Sequence, residues 1–291
     1  MRFIPNVKLG KNVGFCTGVR NTIDFAYSLL EKNKPLFATG ELIHNPSVMS
    51  ELYSRGLIVI DWNSIPKKQK VLIQAHGLNP RDNEMLLLNK NEVIDSTCPI
   101  VKKSFESIKK LSETNQVNLV YGSTKHPEML ALDGYVDNLF IFDKFENLDP
   151  LLDKLQSSNS VCISAQTTKA YDEFSLICNK LSSYVKNTGV ININNTICKF
   201  TVERENEVNE ESKNSDVVII IGGKNSSNTS KLYKIAKNNC NNSFHIEKKE
   251  EIHYFENIIK QAESVFISSG TSTPIKQVNE IYEYILQIVG G

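Results

Sequence analysis

Three glycines end short apolar runs: Gly40 in "PLFATG", Gly122 in "NLVYG" and Gly222 in "VVIIIG". Each lies 24 residues after a cysteine, namely Cys16, Cys98 and Cys198. Three of the chain's six cysteines share that offset. A fixed spacing between unlike landmarks marks an internal repeat, and a repeat dictates architecture more firmly than composition does. Four residues beyond each glycine comes His44, His126 or Ser226. A second apolar run follows in every repeat, in "KVLIQAHG", "SVCISAQTT" and "SVFISSGTST". These runs also end in polar residues: His76, then Gln166, Thr167 and Thr168, then Thr271, Ser272 and Thr273. The distance from first tip to second varies, as loops around fixed strands do.

Each unit therefore reads Cys, helix, strand, tip, helix, strand, tip. Val19, Ile23, Ala26 and Leu30 recur at helical spacing after Cys16. Val101, Phe105 and Ile108 do so after Cys98, with Pro99 in the favoured first-turn position. The segment after Cys198, "KFTVERENEVNEESK", is much more polar, and a helix is expected there as well. Strands alternating with helices predict an α/β fold with mostly parallel sheets covered by helices. Ligands in such folds bind at the carboxyl ends of strands, where all these polar tips lie.

A chain of 291 residues suggests two or three domains. Lys and Arg together number 33 and balance 33 Asp and Glu, so bulk charge gives no reason to expect nucleic acid. No apolar run is long enough to span a membrane. The opening "MRFIPNVKLGKNVG" lacks the apolar stretch of a signal peptide. A cytoplasmic protein with reduced cysteines is expected; a plastid-type organellar protein stripped of its transit peptide would read alike. No cysteine pair has the CxxC spacing of zinc fingers or thioredoxin motifs.

Three equivalent units around an axis would bring three equivalent cysteines to one place. Three thiolates suit a soft metal or a cluster. Tetrahedral zinc normally takes a fourth protein ligand. A cubane iron–sulfur cluster held by three cysteines would keep one iron open for substrate. Cys162, Cys178 and Cys240 lie off the repeat and read as small buried apolar residues. His44, His76 and His126, with Ser226, Ser227, Asn228 and Ser272, make a ring of donors of the kind that binds phosphate. The plainer reading of "KNSSN" is an elaborate helix cap with a turn. Glu128, two residues after His126, is either a proton donor or relay, or a carboxylate favoured in a helix's first turn. His245 and His253 fall outside the scheme and read as surface or structural residues.

The chain resembles the 4-hydroxy-3-methylbut-2-enyl diphosphate reductase family, the last enzyme of the non-mevalonate isoprenoid pathway. The matching pieces are GFCTGV, ELIHNPSV, QAHG, DSTCPIV, HPEM, AQTT, NTIC, GGKNSSNTSKL and GTSTP, from residue 14 to 274 in the family's order. The resemblance implies three similar small α/β domains in a pseudo-threefold trefoil around a [4Fe-4S] cluster. Their spans would be 14–97, 98–197 and 198–291, with an N-terminal strand, 1–13, joining the third. It implies that Cys16, Cys98 and Cys198 hold the cluster and that Glu128 delivers protons, assisted by the Thr167 hydroxyl. It also implies that His44, His76, His126, Ser226, Ser227, Asn228 and Ser272 bind the substrate's diphosphate. The implied reaction is reductive removal of the C4 hydroxyl of (E)-4-hydroxy-3-methylbut-2-enyl diphosphate, giving isopentenyl diphosphate, dimethylallyl diphosphate and water. Ferredoxin or flavodoxin is the implied electron donor. After Cys198 the chain keeps Thr201 and Arg204 but has Phe200 and Glu205 where the family commonly has Ala and Gln.

Two other readings compete. A non-catalytic redox sensor could keep the cluster, but it would need neither Glu128 and Thr167 nor the phosphate ring. A zinc-bound phosphosugar-binding module would use the same tips with a colourless metal.

Overall fold

The computed structural model describes residues 5–32, 34–185 and 189–290. Its strands are β1 (Asn6–Leu9), β2 (Leu36–Ala38), β3 (Leu57–Val59), β4 (Lys70–Ile73), β5 (Glu92–Asp95) and β6 (Val117–Tyr121). They continue with β7 (Leu139–Phe142), β8 (Ser160–Ala165), β9 (Val190–Asn194), β10 (Val217–Ile221), β11 (Ser243–Ile246) and β12 (Ser264–Ser269). They form three four-stranded sheets ordered β3-β2-β4-β5, β7-β6-β8-β9 and β11-β10-β12-β1, with every pairing parallel. The order is the same in each sheet. The strand leading to the repeat's glycine (β2, β6, β10) is second and the second apolar run (β4, β8, β12) is third. The fourth strand is the one that runs on to a cysteine: β5 to Cys98, β9 to Cys198 and β1 to Cys16. Thus β1 pairs with β12, Asn6 opposite Ser264 and Leu9 opposite Ile267. Residues 1–4 of the expected N-terminal strand, and Gly291 of the last repeat, lie outside the described residues.

The first two sheets each hold two strands more than the sequence announced, and the third holds one more, β11, beside the expected N-terminal strand. The outer strands are less buried: β3 runs buried, exposed, half-buried, β5 is exposed at both ends and half-buried between, and β9 is exposed at Val190 and Ile193 and half-buried elsewhere. β5 and β9 mix polar with apolar residues, and the apolar run of β3 ends in no polar tip of the repeated kind. The inner strands end in such tips. All five residues of β10 are fully buried, because helices cover both faces of its sheet. Val217, Ile219 and Ile221 pack with Val265 and Ile267 and with Val278, Ile281 and Ile285. Val218 and Ile220 pack on the other face with Phe266, Val208, Leu232 and Ala236.

The helices are α1 (Thr17–Lys32), α2 (Pro46–Arg55), α3 (Pro80–Leu88), α4 (Pro99–Ser112), α5 (Pro127–Leu132) and α6 (Leu152–Ser157). They continue with α7 (Tyr171–Leu181), α8 (Lys199–Lys213), α9 (Ser227–Asn239), α10 (Glu256–Gln261) and α11 (Ile275–Gly290). Ile23, Ala26 and Leu30 of α1, and Val101, Phe105 and Ile108 of α4, are buried as their spacing predicts. The polar segment after Cys198 is a helix too. Its buried face is Thr201, Arg204, Val208 and Ser212, which has helical spacing but a single apolar member. Phe200 is exposed, and Glu205 forms an ion pair with Lys231 of α9 at 2.5 Å.

The chain divides into two compact units. One comprises Met1–Arg20, Ile43–Ser54 and Lys199–Gly291 and contains the β11-β10-β12-β1 sheet. The other comprises Asn21–Leu42 and Arg55–Cys198 and contains the other two sheets.

Candidate active site

The three repeat cysteines are anchored by one backbone device. The Cys16 N–H donates to the Thr271 carbonyl (3.2 Å), the Cys98 N–H to that of Ala75 (2.9 Å) and the Cys198 N–H to that of Thr167 (2.8 Å). Each acceptor is the second residue beyond the end of β12, β4 or β8. The parallel ladder thus continues past the edge strand and delivers the cysteine to a tip, where a helix begins at the next residue: α1, α4 or α8. All three thiols are partly exposed and none is in a disulfide, whereas Cys162, Cys178 and Cys240 are buried. Burial raises the Cys162 thiol and pushes that of Cys178 up to about 11, and Cys240 donates to the Asp216 carbonyl (3.4 Å). Those three are packing residues.

Among the described residues no three His, Cys, Asp or Glu side chains are grouped to hold a single metal ion. The donor set fits an iron–sulfur group by its chemistry: soft thiols, repeated at equivalent positions, at helix starts. Burial raises the Cys98 thiol, and the charges of Cys198 and Glu128 act in the same direction. The N–H groups of Ile100 and Val101, at the start of α4, bond to its sulfur and oppose that rise.

Glu128 occupies the centre of this unit's site. It is fully buried in the first turn of α5. Its Oε1 accepts the Thr167 N–H (2.8 Å) and its Oε2 the Thr167 hydroxyl (2.7 Å). Two such bonds stabilise the carboxylate, yet burial outweighs them and pushes the group up to about 7. His126 is the N-cap of α5: its Nδ1 accepts the Glu128 N–H (3.2 Å), which leaves Nε2 as the ring's donor. The His76 ring meets the His126 ring edge-on, with centroids 5.0 Å apart. His126, Glu128, Thr167 and Cys198 thus form one continuous chain of contacts, with His76 beside it.

The other unit gathers the remaining tips. Ser226 is the N-cap of α9 and accepts the Thr229 N–H (3.3 Å), so the capping role read for "KNSSN" is real for this residue. Its hydroxyl hydrogen is not consumed by that bond. Asn228 accepts the Thr271 N–H at Oδ1 (3.0 Å), which fixes the amide and turns its NH2 group to other partners. Ser227 is exposed at the first position of the helix. The Ser272 carbonyl accepts from Asn45 (3.2 Å), and the His44 carbonyl approaches Gly223 closely enough that a Cβ there would lie 3.0 Å from it. Gly222 needs its missing side chain: its φ is +147°, and a Cβ would stand 2.6 Å from the Thr273 hydroxyl.

Asn45 has a part that the sequence pattern did not assign. It is buried, caps α2 by accepting the Ser47 and Val48 N–H groups (3.1 and 3.2 Å), and ties that loop to Ser272. His44 therefore precedes its helix cap, whereas His126 and Ser226 are the caps. An Asn directly before Pro46 was the available signal. Gln166 is similar: its Oε1 accepts the Ser123 N–H (3.0 Å) and its Nε2 donates to Thr168 (2.6 Å), joining the tips after β6 and β8.

The family model for the LytB protein matches residues 7–286. The 4-hydroxy-3-methylbut-2-enyl diphosphate reductase of Pseudothermotoga lettingae is 36% identical over 282 residues, 95% of this chain and 96% of that protein. The reductase of the same name from Clostridium acetobutylicum is 37% identical over 275 residues, 92% of this chain. The match spans 41% of that longer relative. A solved (E)-4-hydroxy-3-methyl-but-2-enyl diphosphate reductase, described as the terminal enzyme of the non-mevalonate pathway, superposes with a TM-score of 0.74 at 29% identity. That superposition covers 97% of this chain and 98% of the other.

Proposed function

The chain belongs to the LytB protein family, and on that premise we propose that it is an iron–sulfur 4-hydroxy-3-methylbut-2-enyl diphosphate reductase. It takes (E)-4-hydroxy-3-methylbut-2-enyl diphosphate, two electrons and two protons, breaks the C4–O bond and yields isopentenyl or dimethylallyl diphosphate and water. Cys16, Cys98 and Cys198 would ligate a [4Fe-4S] cluster. That group, when bound, supplies the electrons and a Lewis-acidic iron for the departing hydroxyl.

The observation that carries the reading is Glu128: a buried carboxyl raised to about 7, bonded twice to Thr167. Such a group is about half protonated at neutral pH and can give a proton in that range. With Oε1 held as an acceptor by the Thr167 N–H, a proton on the carboxyl belongs on Oε2. The Thr167 hydroxyl then accepts it and turns its own hydrogen towards the substrate. Glu128 and Thr167 thus act as a two-member relay, which neither a redox sensor nor a phosphosugar-binding module would need.

His44, His76, His126, Ser226, Ser227, Asn228 and Ser272 would bind the diphosphate. The support is one of polarity. Ser226 and Asn228 spend oxygen lone pairs on backbone N–H groups and keep hydrogens to donate, and His126 accepts a backbone N–H at Nδ1, which makes Nε2 its donor atom. Donors are what an anion requires, and holding the remote diphosphate orients the allylic alcohol for reaction. Ferredoxin or flavodoxin would deliver the electrons, in the cytoplasm. The repeats 14–97, 98–197 and 198–291, the last with strand 1–13, would be its domains. The test is anaerobic loading with iron and sulfide, followed by turnover of the diphosphate with a chemical reductant. Loaded protein that leaves the substrate intact would refute the reading.

A further inference from the structure

Arg204 is an unusual residue to bury. It lies on α8 and is 4% exposed. Its Nη1 donates to the Ser269 carbonyl (2.8 Å) and its Nη2 to the Gly14 carbonyl (3.0 Å). The Gly14 N–H in turn donates to the Ser269 hydroxyl (2.8 Å), so Gly14 is clamped through both of its backbone groups two residues before Cys16. Gly14 has a φ of +79°, a conformation that the clamp preserves and that other residues rarely adopt.

The guanidinium's hydrogen-bond partners are neutral. Carbonyls accept hydrogen bonds but do not neutralise a cation, and among the described residues no carboxylate forms an ion pair with Arg204. Glu207 lies within electrostatic reach and contributes negative charge, while its oxygens accept the N–H groups of Lys11 (2.7 Å) and Asn12 (3.3 Å). The Nε of Arg204 is buried with no hydrogen-bond partner. Burial lowers the affinity of the guanidinium for its proton, and the charge of Cys16 is foremost among the influences opposing that.

We propose that Arg204 is a positioning residue for Cys16: it braces the Gly14 loop that carries the cysteine, and it holds a fixed positive charge at the Gly14 carbonyl, two residues before the cysteine, which favours the reduced form of a bound iron–sulfur group. The inference rests on the assignment of Cys16 as a ligand. Reduction adds negative charge to the group, so a nearby fixed cation raises its midpoint potential, and removing that cation lowers it.

The test compares anaerobically loaded wild type with Arg204→Met and Arg204→Lys, measuring iron per chain, midpoint potential and the rate of iron release to a chelator. Arg204→Met is expected to show a more negative potential and faster iron release. Arg204→Lys keeps the charge but cannot span both carbonyls, so it is expected to keep a potential close to wild type while releasing iron faster. A wild-type potential in Arg204→Met overturns the electrostatic role, and wild-type iron release in Arg204→Lys overturns the bracing role. Should Arg204→Met fail to fold, Arg204→Gln, which removes the charge but can still donate to one carbonyl, takes its place, and a wild-type potential in that variant overturns the electrostatic role. Wild type that binds no iron overturns the ligand assignment itself, an outcome distinct from wild-type loading with unaltered variants.

Discussion

Replacing Glu128 by Gln should change the pH dependence of stability in a direction opposite to that of an ordinary carboxylate. The folded group titrates at about 7 against an unperturbed 4.5, because burial disfavours its charged form. Between those values the folded chain holds a proton that the unfolded chain has lost, so stability falls as pH rises. The contribution is fully present below 4.5 and gone above about 7. The shift corresponds to about 3 kcal/mol in full, and to about 2 kcal/mol of it between pH 5.5 and 8.5. Glutamine fits the same place: its Oε1 can accept the Thr167 N–H, and its NH2 can donate to the Thr167 hydroxyl in place of the present bond. The variant therefore loses the titration and keeps the geometry. Urea unfolding of iron-free wild type and Glu128→Gln at both pH values isolates the effect, since titrating groups that do not sense Glu128 cancel in the difference. Relative to the variant, wild type should lose about 2 kcal/mol on going from pH 5.5 to 8.5. A difference that stays constant would mean that Glu128 is already ionised in the fold at pH 5.5, and the argument for a proton held at that carboxyl would be lost. The loaded variant should bind substrate but turn it over slowly at every pH, which is the pattern of a group acting in the transition state.

Serine at Cys16, Cys98 or Cys198 should abolish iron retention, whereas serine at Cys162, Cys178 or Cys240 should leave iron content unchanged; iron analysis after anaerobic loading decides this. Asn228→Ala should weaken binding of the diphosphate substrate by roughly one to two decades, the worth of a hydrogen bond to a charged group, and should be seen by calorimetry with the loaded protein. Ser226→Ala should do the same and also cost roughly 0.5–2 kcal/mol of stability, because the residue caps α9; an unchanged urea midpoint would contradict the capping geometry. Gly222→Ala should destabilise by more than about 1 kcal/mol, since its φ is strained for any side chain and the new methyl meets Thr273 and Thr229; a neutral effect on the urea midpoint would refute this.

The parts of this protein that were legible in the sequence are those whose signal is local and repeated. The apolar runs of β4, β8, β10 and β12 declare themselves because a strand covered on both faces has little choice but apolar residues. The cysteine-to-glycine spacing located equivalent tips, since one helix and one strand of similar length separate them in each unit. The outer strands β5 and β9 were not legible, because half-exposed residues at a sheet's edge satisfy weaker constraints, and β3 was passed over because no polar tip of the repeated kind ends its apolar run. The helix after Cys198 has three polar residues on its buried face, and what makes that face buriable, the Arg204 clamp on Gly14 and Ser269, comes from segments 190 and 65 residues away.

The division runs through the site as well. Residue types and their order determined that three histidines and a run of hydroxyls and amides would stand at strand ends, and that each of three thiols would precede a helix. Sequence alone offered two meanings for Glu128, and only the fold shows its surroundings: burial raises the carboxyl against the opposing bonds from Thr167, which comes from a strand end 39 residues away. It likewise left open which lone pairs the tips spend on their own backbone. Those properties depend on what is packed around a group and on how far away water is. A chain can encode such distances only through the whole of its tertiary structure.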